Sequence, residues 1–246
     1  MIMTLVRKHS PDAEIYDAIR RFMNAHIYPK YGFPNHEGVH RASCRVDDIV
    51  SLISSYKPAS LVDIGCSTGI ITRQLGIRLG LEPSSIWGVD IVRRNIEGIT
   101  YICSEAGIPL ESDSIDLAIM IMSLHHIKLP SETLGEVFRI LKPGGLLVIK
   151  EHDIATDDTD AQTYLDILHG LYSLSWCKEG YCEDPDFCIN YWANYRSKED
   201  WTTLIETIGF RRDTKKPLYN MAECEREYTG VHIRNIGYSY WAIYEK

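Results

Sequence analysis

Apolar positions change their spacing along the chain, and each change marks a change of architecture. Between residues 11 and 28, Ile15, Ile19, Phe22 and Met23 share one helical stripe, with Pro11 placed for a first turn and Pro29 just past the end. A stretch rich in turn formers covers 29–40, and a second helical stripe, Val46, Ile49, Val50 and Ile53, stops near Pro58. From 60 to 150 the helical period gives way to short apolar runs: SerLeuValAspIleGly, IleTrpGlyValAsp, IleThrTyrIleCys, AspLeuAlaIleMetIleMet and GlyLeuLeuValIleLys. Apolar runs without alternation suit strands buried on both faces, as in a parallel sheet covered by helices. A helix near 160–175, an irregular aromatic segment to 195, a helix at 198–208 and two closing strands complete an alternating α/β chain.

A length of 246 residues suits one sizeable core with appendages. The expected organisation is an N-terminal helical lid over 1–57 and a core over 58–246, the core carrying an aromatic and acidic cap at 154–195. The net charge of -8, from 26 basic against 34 acidic residues, counts against a nucleic-acid coat protein or an anionic-membrane binder. No apolar run approaches the ~20 residues of a membrane span, so no membrane association and a cytoplasmic location are expected. Seven cysteines at spacings that form no disulfide framework agree with a reducing compartment. Cys177, Cys182 and Cys188 cluster, and His169 and Cys224 could complete a zinc tetrahedron, but the spacing is not that of a CxxC knuckle. Ordinary thiols, and no metal, are the expectation.

The first core strand runs into Asp63, Ile64, Gly65, Cys66, Ser67, Thr68 and Gly69 ahead of a helix. A carboxylate, small residues and a helix N-terminus make a turn whose backbone can approach a ligand closely. The second strand ends in Asp90, 21 residues after Gly69, where a carboxylate can accept the hydroxyls of a ribose. The turn lacks the central glycine of GlyXGlyXXGly, which makes a pyrophosphate harder to seat than a single nucleoside.

These residues carry a resemblance. LeuValAspIleGlyCysSerThrGly, GlyValAsp, SerGluAlaGlyIlePro with AspSerIleAspLeu, SerLeuHisHisIle and GluValPheArgIleLeuLysProGlyGlyLeuLeuValIle occur in the order seen in class I S-adenosylmethionine-dependent methyltransferases, from about Leu61 to Asp153. The resemblance implies a Rossmann-like α/β fold, with a mostly parallel seven-stranded sheet and helices on both faces, and S-adenosyl-L-methionine as cofactor. It implies that Asp63, Gly65, Cys66 and Gly69 lie against the methionine part and Asp90 on the ribose. Ser104 and Glu105 would stand near the adenine amino group, and Met122 and Ser123 would edge the cofactor. Only nine residues separate Asp90 from Thr100, so the second crossover helix is expected to be abbreviated.

That short crossover also resembles RNA ribose 2′-O-methyltransferases. Lys150 is similar in position to one lysine of their Lys-Asp-Lys-Glu tetrad, and Arg45 stands where the first lysine would, but the tetrad aspartate is absent. The candidate catalytic residues are Lys150, Glu151 and His152, read with Asp153 as one polar group at the open end of the fifth strand, and His126 beside His125. Of the two histidine sites His152 is preferred, because flanking carboxylates would raise its proton affinity. Both histidines of the pair can equally pack or cap. Between Glu151 and Asp186 ten acidic residues face Lys178 alone, which favours a small-molecule acceptor over a polyanion. RNA would have to approach from the N-terminal side, where seven Lys or Arg meet four acids in 45 residues. Seven tyrosines and tryptophans from Tyr164 to Tyr195 could clamp an acceptor or form the core of a cap. The expected reaction is methyl transfer to an oxygen or nitrogen; a catalytically silent binding partner on the same fold is the alternative of another class.

Overall fold

The computed structural model describes residues 21, 37–92, 95–105, 107–163, 165–166, 192–214 and 238–246. Helix α1 spans Glu37–Leu52, strand β1 Leu61–Ile64, helix α2 Ile70–Leu79, strand β2 Ile86–Asp90 and strand β3 Thr100–Cys103. Strand β4 spans Ile115–Ile121, helix α3 Pro130–Ile140, strand β5 Leu141–Asp153, helix α4 Lys198–Ile208, strand β6 Arg211–Arg212 and strand β7 Tyr238–Glu245. The seven strands lie in the order β3-β2-β1-β4-β5-β7-β6. The strands from β3 to β5 pair in parallel, and β7 runs antiparallel to both β5 and β6. Strand order therefore reverses between β1 and β4, and the crevice outside their carboxyl ends is where an open α/β sheet receives a ligand.

The sheet has two cores because its strands send alternate residues to opposite sides. Val62, Ala118, Met120, Leu147, Ile149 and Ala242 pack beneath Leu134, Val137 and Ile140 of α3 and Trp201 and Ile205 of α4. Leu61, Leu117, Ile119, Val148, Trp241 and Ile243 pack beneath Val46 and Ile49 of α1 and Leu75 of α2. Both layers being apolar explains why the strands read as continuous runs and not as alternations. Helix α4 begins where the Ser197 hydroxyl accepts the Asp200 N–H at 3.1 Å, and ends at Gly209.

Three expectations shift. Strand β5 is longer than its apolar run, because LysProGlyGly joins it through a register irregularity that pairs Ile115 with Leu141 and Leu117 with Leu146. No helix occurs between β2 and β3 among the described residues of that crossover, so the abbreviation is carried further than expected. Cys44 on α1 is disulfide-bonded, against the expectation of ordinary thiols, while Cys66 and Cys103 are in no disulfide. The expected helix at 160–175 appears as helical residues at 159–163 and 165–166. Its remainder, nearly all of the 11–28 helix and Cys177, Cys182, Cys188, Cys224 and His169 lie outside the described residues. Among those described, no helix is long and apolar enough to cross a membrane.

Candidate functional site

Strand β1 leads into a turn that must reverse direction in a few residues before α2, and it does so with left-handed backbone at Gly65, Ser67 and Gly69, at φ 77°, 49° and 68°. The N–H groups of Gly65 and Cys66 both donate to the Val89 carbonyl, at 2.8 and 3.1 Å, tying the turn to the end of β2. A Cβ at Gly65 would lie 2.4 Å from the Cβ of Ser123, so the turn closes against the segment after β4 only because glycine stands there. Helix α2 starts at Gly69 without a side-chain cap, which leaves its first amides and their partial positive charge for a ligand.

Asp90 closes the rim. Its Oδ2 accepts the Ser67 N–H at 2.8 Å and its Oδ1 the Val92 N–H at 3.1 Å. One donor per oxygen leaves lone pairs for further hydroxyls. Asp63 is buried beneath the turn, where the Thr72 hydroxyl donates to its Oδ2 at 2.6 Å. Burial pushes its pKa up to about 7, with the Thr72 bond pulling down and the Asp90 charge pushing further up. Cys66 is buried with its sulfur against Gly88, where a Cβ would lie 2.8 Å from it. On the far rim Ser104 uses its hydroxyl to donate to the Gly107 carbonyl at 2.8 Å, and Glu105 is exposed. Met122, at φ 56°, donates its N–H to the Lys150 carbonyl at 2.8 Å, and the Ser123 hydroxyl donates to the Ile64 carbonyl at 2.7 Å. The ends of β1, β4 and β5 are thereby joined in one edge.

The LysGluHisAsp run divides between the two faces of β5. A strand alternates its side chains, so Lys150 and His152 share one face of β5, and Glu151 and Asp153 take the other. Lys150 is 1% exposed, with its ammonium 5.2 Å from the centre of the Trp241 ring. Glu151 is fully buried and is a tether: Oε1 accepts the Leu124 N–H at 2.8 Å, Oε2 accepts the His152 N–H at 3.1 Å, and Oε2 lies 2.6 Å from His125 Nδ1. Burial raises the proton affinity of Glu151 and lowers that of His125 well below the ordinary imidazole value, so neither group gains a free charge cheaply. Asp153 turns to α4, accepting the Lys198 N–H at 2.9 Å. The two carboxylates that flank His152 also serve other partners, Glu151 the His125 ring and the Leu124 N–H, and Asp153 Lys198. The rings of His126, His152 and Tyr195 surround that of His125 at 4.0, 5.1 and 5.4 Å between centres. His126 reaches the exposed side, its Nδ1 2.9 Å from the Trp192 carbonyl oxygen.

Sequence reasoning passed over Ser239 and Trp241. Antiparallel register sets Trp241 opposite Lys150 and Ser239 opposite His152. Their signal was available in TyrSerTyrTrpAlaIleTyr, where a period of two places Ser239, Trp241 and Ile243 on one face.

Strand order, switch-point turn and acidic second strand define a Rossmann-like fold of the nucleoside-binding kind. Residues 39–214 match the family described as "Methyltransferase domain". The chain belongs to that family, the class I S-adenosylmethionine-dependent methyltransferases, and S-adenosylmethionine is the cofactor. A solved S-adenosylmethionine-dependent methyltransferase from Methanosarcina mazei shares the fold at a TM-score of 0.53 and 18% identity, covering 79% of this chain and 96% of that one. The chain is also similar to the ubiquinone/menaquinone biosynthesis C-methyltransferase UbiE of Geobacter sulfurreducens, 27% identical over 216 residues, or 78% of this chain and 80% of that one. Over a shorter stretch of 111 residues it is 38% identical to ribosomal RNA-processing protein 8 of Rattus norvegicus, 44% of this chain and 22% of that one. The chain spans 30%, 4% and 49% of the length of three further curated relatives it matches.

Proposed function

We propose that the chain transfers a methyl group from S-adenosylmethionine to an oxygen or nitrogen of a small-molecule acceptor bound at the carboxyl ends of β4 and β5. The observation that carries the reading is the left-handed turn of Gly65, Ser67 and Gly69 closed by Asp90, a cradle that fits a nucleoside and the amino-acid tail beside it. In this reading Gly65, Cys66 and Gly69 give backbone to the methionine part and Asp63 faces its positive charge. Asp90 takes the ribose hydroxyls, Ser104 and Glu105 border the adenine, and Met122 lies at the edge where acceptor and cofactor meet. When bound, S-adenosylmethionine supplies an electrophilic methyl on a sulfonium, open to displacement by a lone pair.

The chain's own part is alignment, exclusion of water and, where the acceptor is protonated, removal of that proton. His126 and His152 are the candidate bases, Glu151 positions both through its bonds around His125, and Lys150 places a positive charge beneath the acceptor. The excess of acidic residues between Glu151 and Asp186 favours a small acceptor over a polyanion. Likeness to a quinone C-methyltransferase supports the same side. The lid over 1–57 and the cap at 154–195 remain part of this proposal as the elements that would enclose the acceptor.

Asp90→Ala is expected to weaken S-adenosylmethionine binding roughly tenfold or more in calorimetry, because hydrogen bonds to a charged acceptor are worth about 1.5–3 kcal/mol. Unchanged affinity in a folded variant would remove the assignment. RNA methylation is the second reading, supported by the position of Lys150 and by the likeness to a ribosomal RNA-processing protein. A steep loss of methyl transfer to RNA between low and physiological salt would favour it.

A further inference from the structure

Strand β2 ends in Asp90, and the chain then crosses to β3 with no helix among the described residues of the crossover. A crossover helix normally packs on the sheet and so fixes the loop that leaves the first strand. Here that work falls to β3. The carbonyls of Asp90, Ile91 and Val92 are each taken by a donor from that strand or from the residue after it: Asp90 O by the Ser104 N–H at 3.0 Å, Ile91 O by the Cys103 thiol at 3.4 Å, and Val92 O by the Tyr101 hydroxyl. The parallel register sets Asp90 beside Cys103, and Tyr101 shares a face of β3 with Cys103, so both side chains reach the same loop. Ile91 is 63% exposed and brings the loop little packing of its own, which leaves hydrogen bonds to hold it.

We propose that Tyr101 is a positioning residue for the cofactor's ribose, with Cys103 in a lesser part, and that it acts by holding the loop that aims the Asp90 carboxylate. Val92 is fastened at both ends, its carbonyl by the Tyr101 hydroxyl and its N–H by Asp90 Oδ1 at 3.1 Å, while Asp90 Oδ2 accepts the Ser67 N–H at 2.8 Å. The carboxylate is thus held between the glycine turn and a loop anchored on β3, and its remaining lone pairs keep one direction before a ligand arrives. Setting a contact in advance lowers the ordering cost of binding. A thiol is a weaker donor than a phenol, which makes Tyr101 the principal hold. The returning limb of the crossover braces the turn as well, since a Cβ at Gly69 would lie 2.9 Å from the Ile96 side chain. The inference rests on the reading of Asp90 as the ribose ligand and adds what keeps it in place: Tyr101 works through Val92 and not by touching the ribose.

Calorimetry with S-adenosylhomocysteine and its 2′-deoxy and 3′-deoxy analogues measures what the ribose hydroxyls contribute. The wild type should bind S-adenosylhomocysteine about tenfold or more tightly than at least one deoxy analogue, and Asp90→Ala should erase that preference. Tyr101→Phe keeps the ring and loses only the hydroxyl, and should reduce the preference several-fold while affinity for the deoxy analogue stays within about twofold. A merely structural role would weaken every ligand alike and leave the ratio where it was. Cys103→Ala, at an exposed position, should lower the ratio by a smaller factor, and it carries the test if Tyr101→Phe is too unstable to titrate. Added to Asp90→Ala, Tyr101→Phe should change the ratio no further, as expected of two residues acting through one contact. A preference retained in full by Tyr101→Phe and Cys103→Ala while Asp90→Ala loses it, or an equal loss on every ligand, overturns the positioning role. A wild type without any ribose preference sinks the Asp90 assignment itself, and is read first.

Discussion

The two halves of the crevice are made in opposite ways. On the β1/β2 side the surface is backbone: a left-handed turn, amides at the start of α2, and one carboxylate braced by two N–H groups. On the β4/β5/β7 side it is side chains, held under cover by strand alternation and by one buried carboxylate that bonds three neighbouring residues. A backbone surface needs only short-range chain geometry and suits a ligand whose shape never changes. A side-chain surface can be respecified by substitution without altering the strands beneath, which suits the variable partner of a reaction. The comparison predicts that the first half fails when geometry changes and the second when a polar contact is removed.

The largest effect should come from the tether. Glu151→Ala strips Leu124, His125 and His152 of their shared acceptor inside a closed interior, and breaking a buried polar pair from one side costs about 3–5 kcal/mol. For a chain of this size that lowers Tm by about 10 °C. Glu151→Gln keeps one oxygen for the Leu124 N–H and should recover part of the loss. A solvated general base would instead leave Tm unmoved on removal, and thermal denaturation separates the two roles.

Gly65→Ala probes the backbone half. The new Cβ would meet Ser123 at 2.4 Å on a residue whose φ is 77°, a conformation that costs an L side chain about 1–2 kcal/mol before any clash. Cofactor affinity is expected to fall about 100-fold in the variant that remains folded. Equal affinity in calorimetry would mean that the turn does not touch the cofactor.

Asp63 joins the halves to pH. Its folded pKa of about 7 lies above the unbound carboxyl value of 3.8, so across that window the folded state keeps a proton that the unfolded chain releases. Stability contributed by this group is therefore present at acid pH and lost as pH rises through about 7. Asp63→Asn cannot titrate, and should be more stable than the wild type at pH 8 by about 2–3 kcal/mol and equal to it near pH 4 in denaturant unfolding. It should also bind the cationic cofactor more weakly at pH 8. An unchanged pH dependence of stability would show that burial does not govern this carboxyl.

How much of this was legible in the chain follows from how each half is built. The Asp63–Gly69 turn and Asp90 could be read because their meaning lies within a few residues: small side chains where φ turns positive, and a carboxylate ending an apolar run. Lys198–Ile208 was legible for the same reason, its Ser197 cap and Gly209 stop being local signals. The acceptor side was not, because adjacency in sequence is separation in a strand: Lys150 and Glu151 are neighbours in the chain and face opposite layers. Glu151 finds His125 across 26 positions, a pairing fixed by the β4–β5 register. Ser239 and Trp241 acquire meaning only when β7 turns antiparallel and sets them opposite His152 and Lys150.

The smallest effect belongs to Asp153, and it sharpens the comparison most finely. In sequence this carboxylate completes LysGluHisAsp; in the fold it leaves the crevice, accepting the Lys198 N–H at 2.9 Å and standing 3.5 Å from the Lys198 ammonium. Asp153→Asn retains an oxygen for the backbone donor and loses only a partly exposed ion pair, worth about 0.2–1 kcal/mol. Stability should fall by no more than that, and kcat for whichever acceptor is found should stay within about twofold, since no transition-state contact is removed. Paired with Ser239→Ala, a change of similar size on the opposite face of the same strand ladder, it asks whether face or chain position decides function. A kcat loss of tenfold or more in Asp153→Asn, with Ser239→Ala unaffected, would place the acceptor on the α4 side of β5 and reverse the assignment of faces.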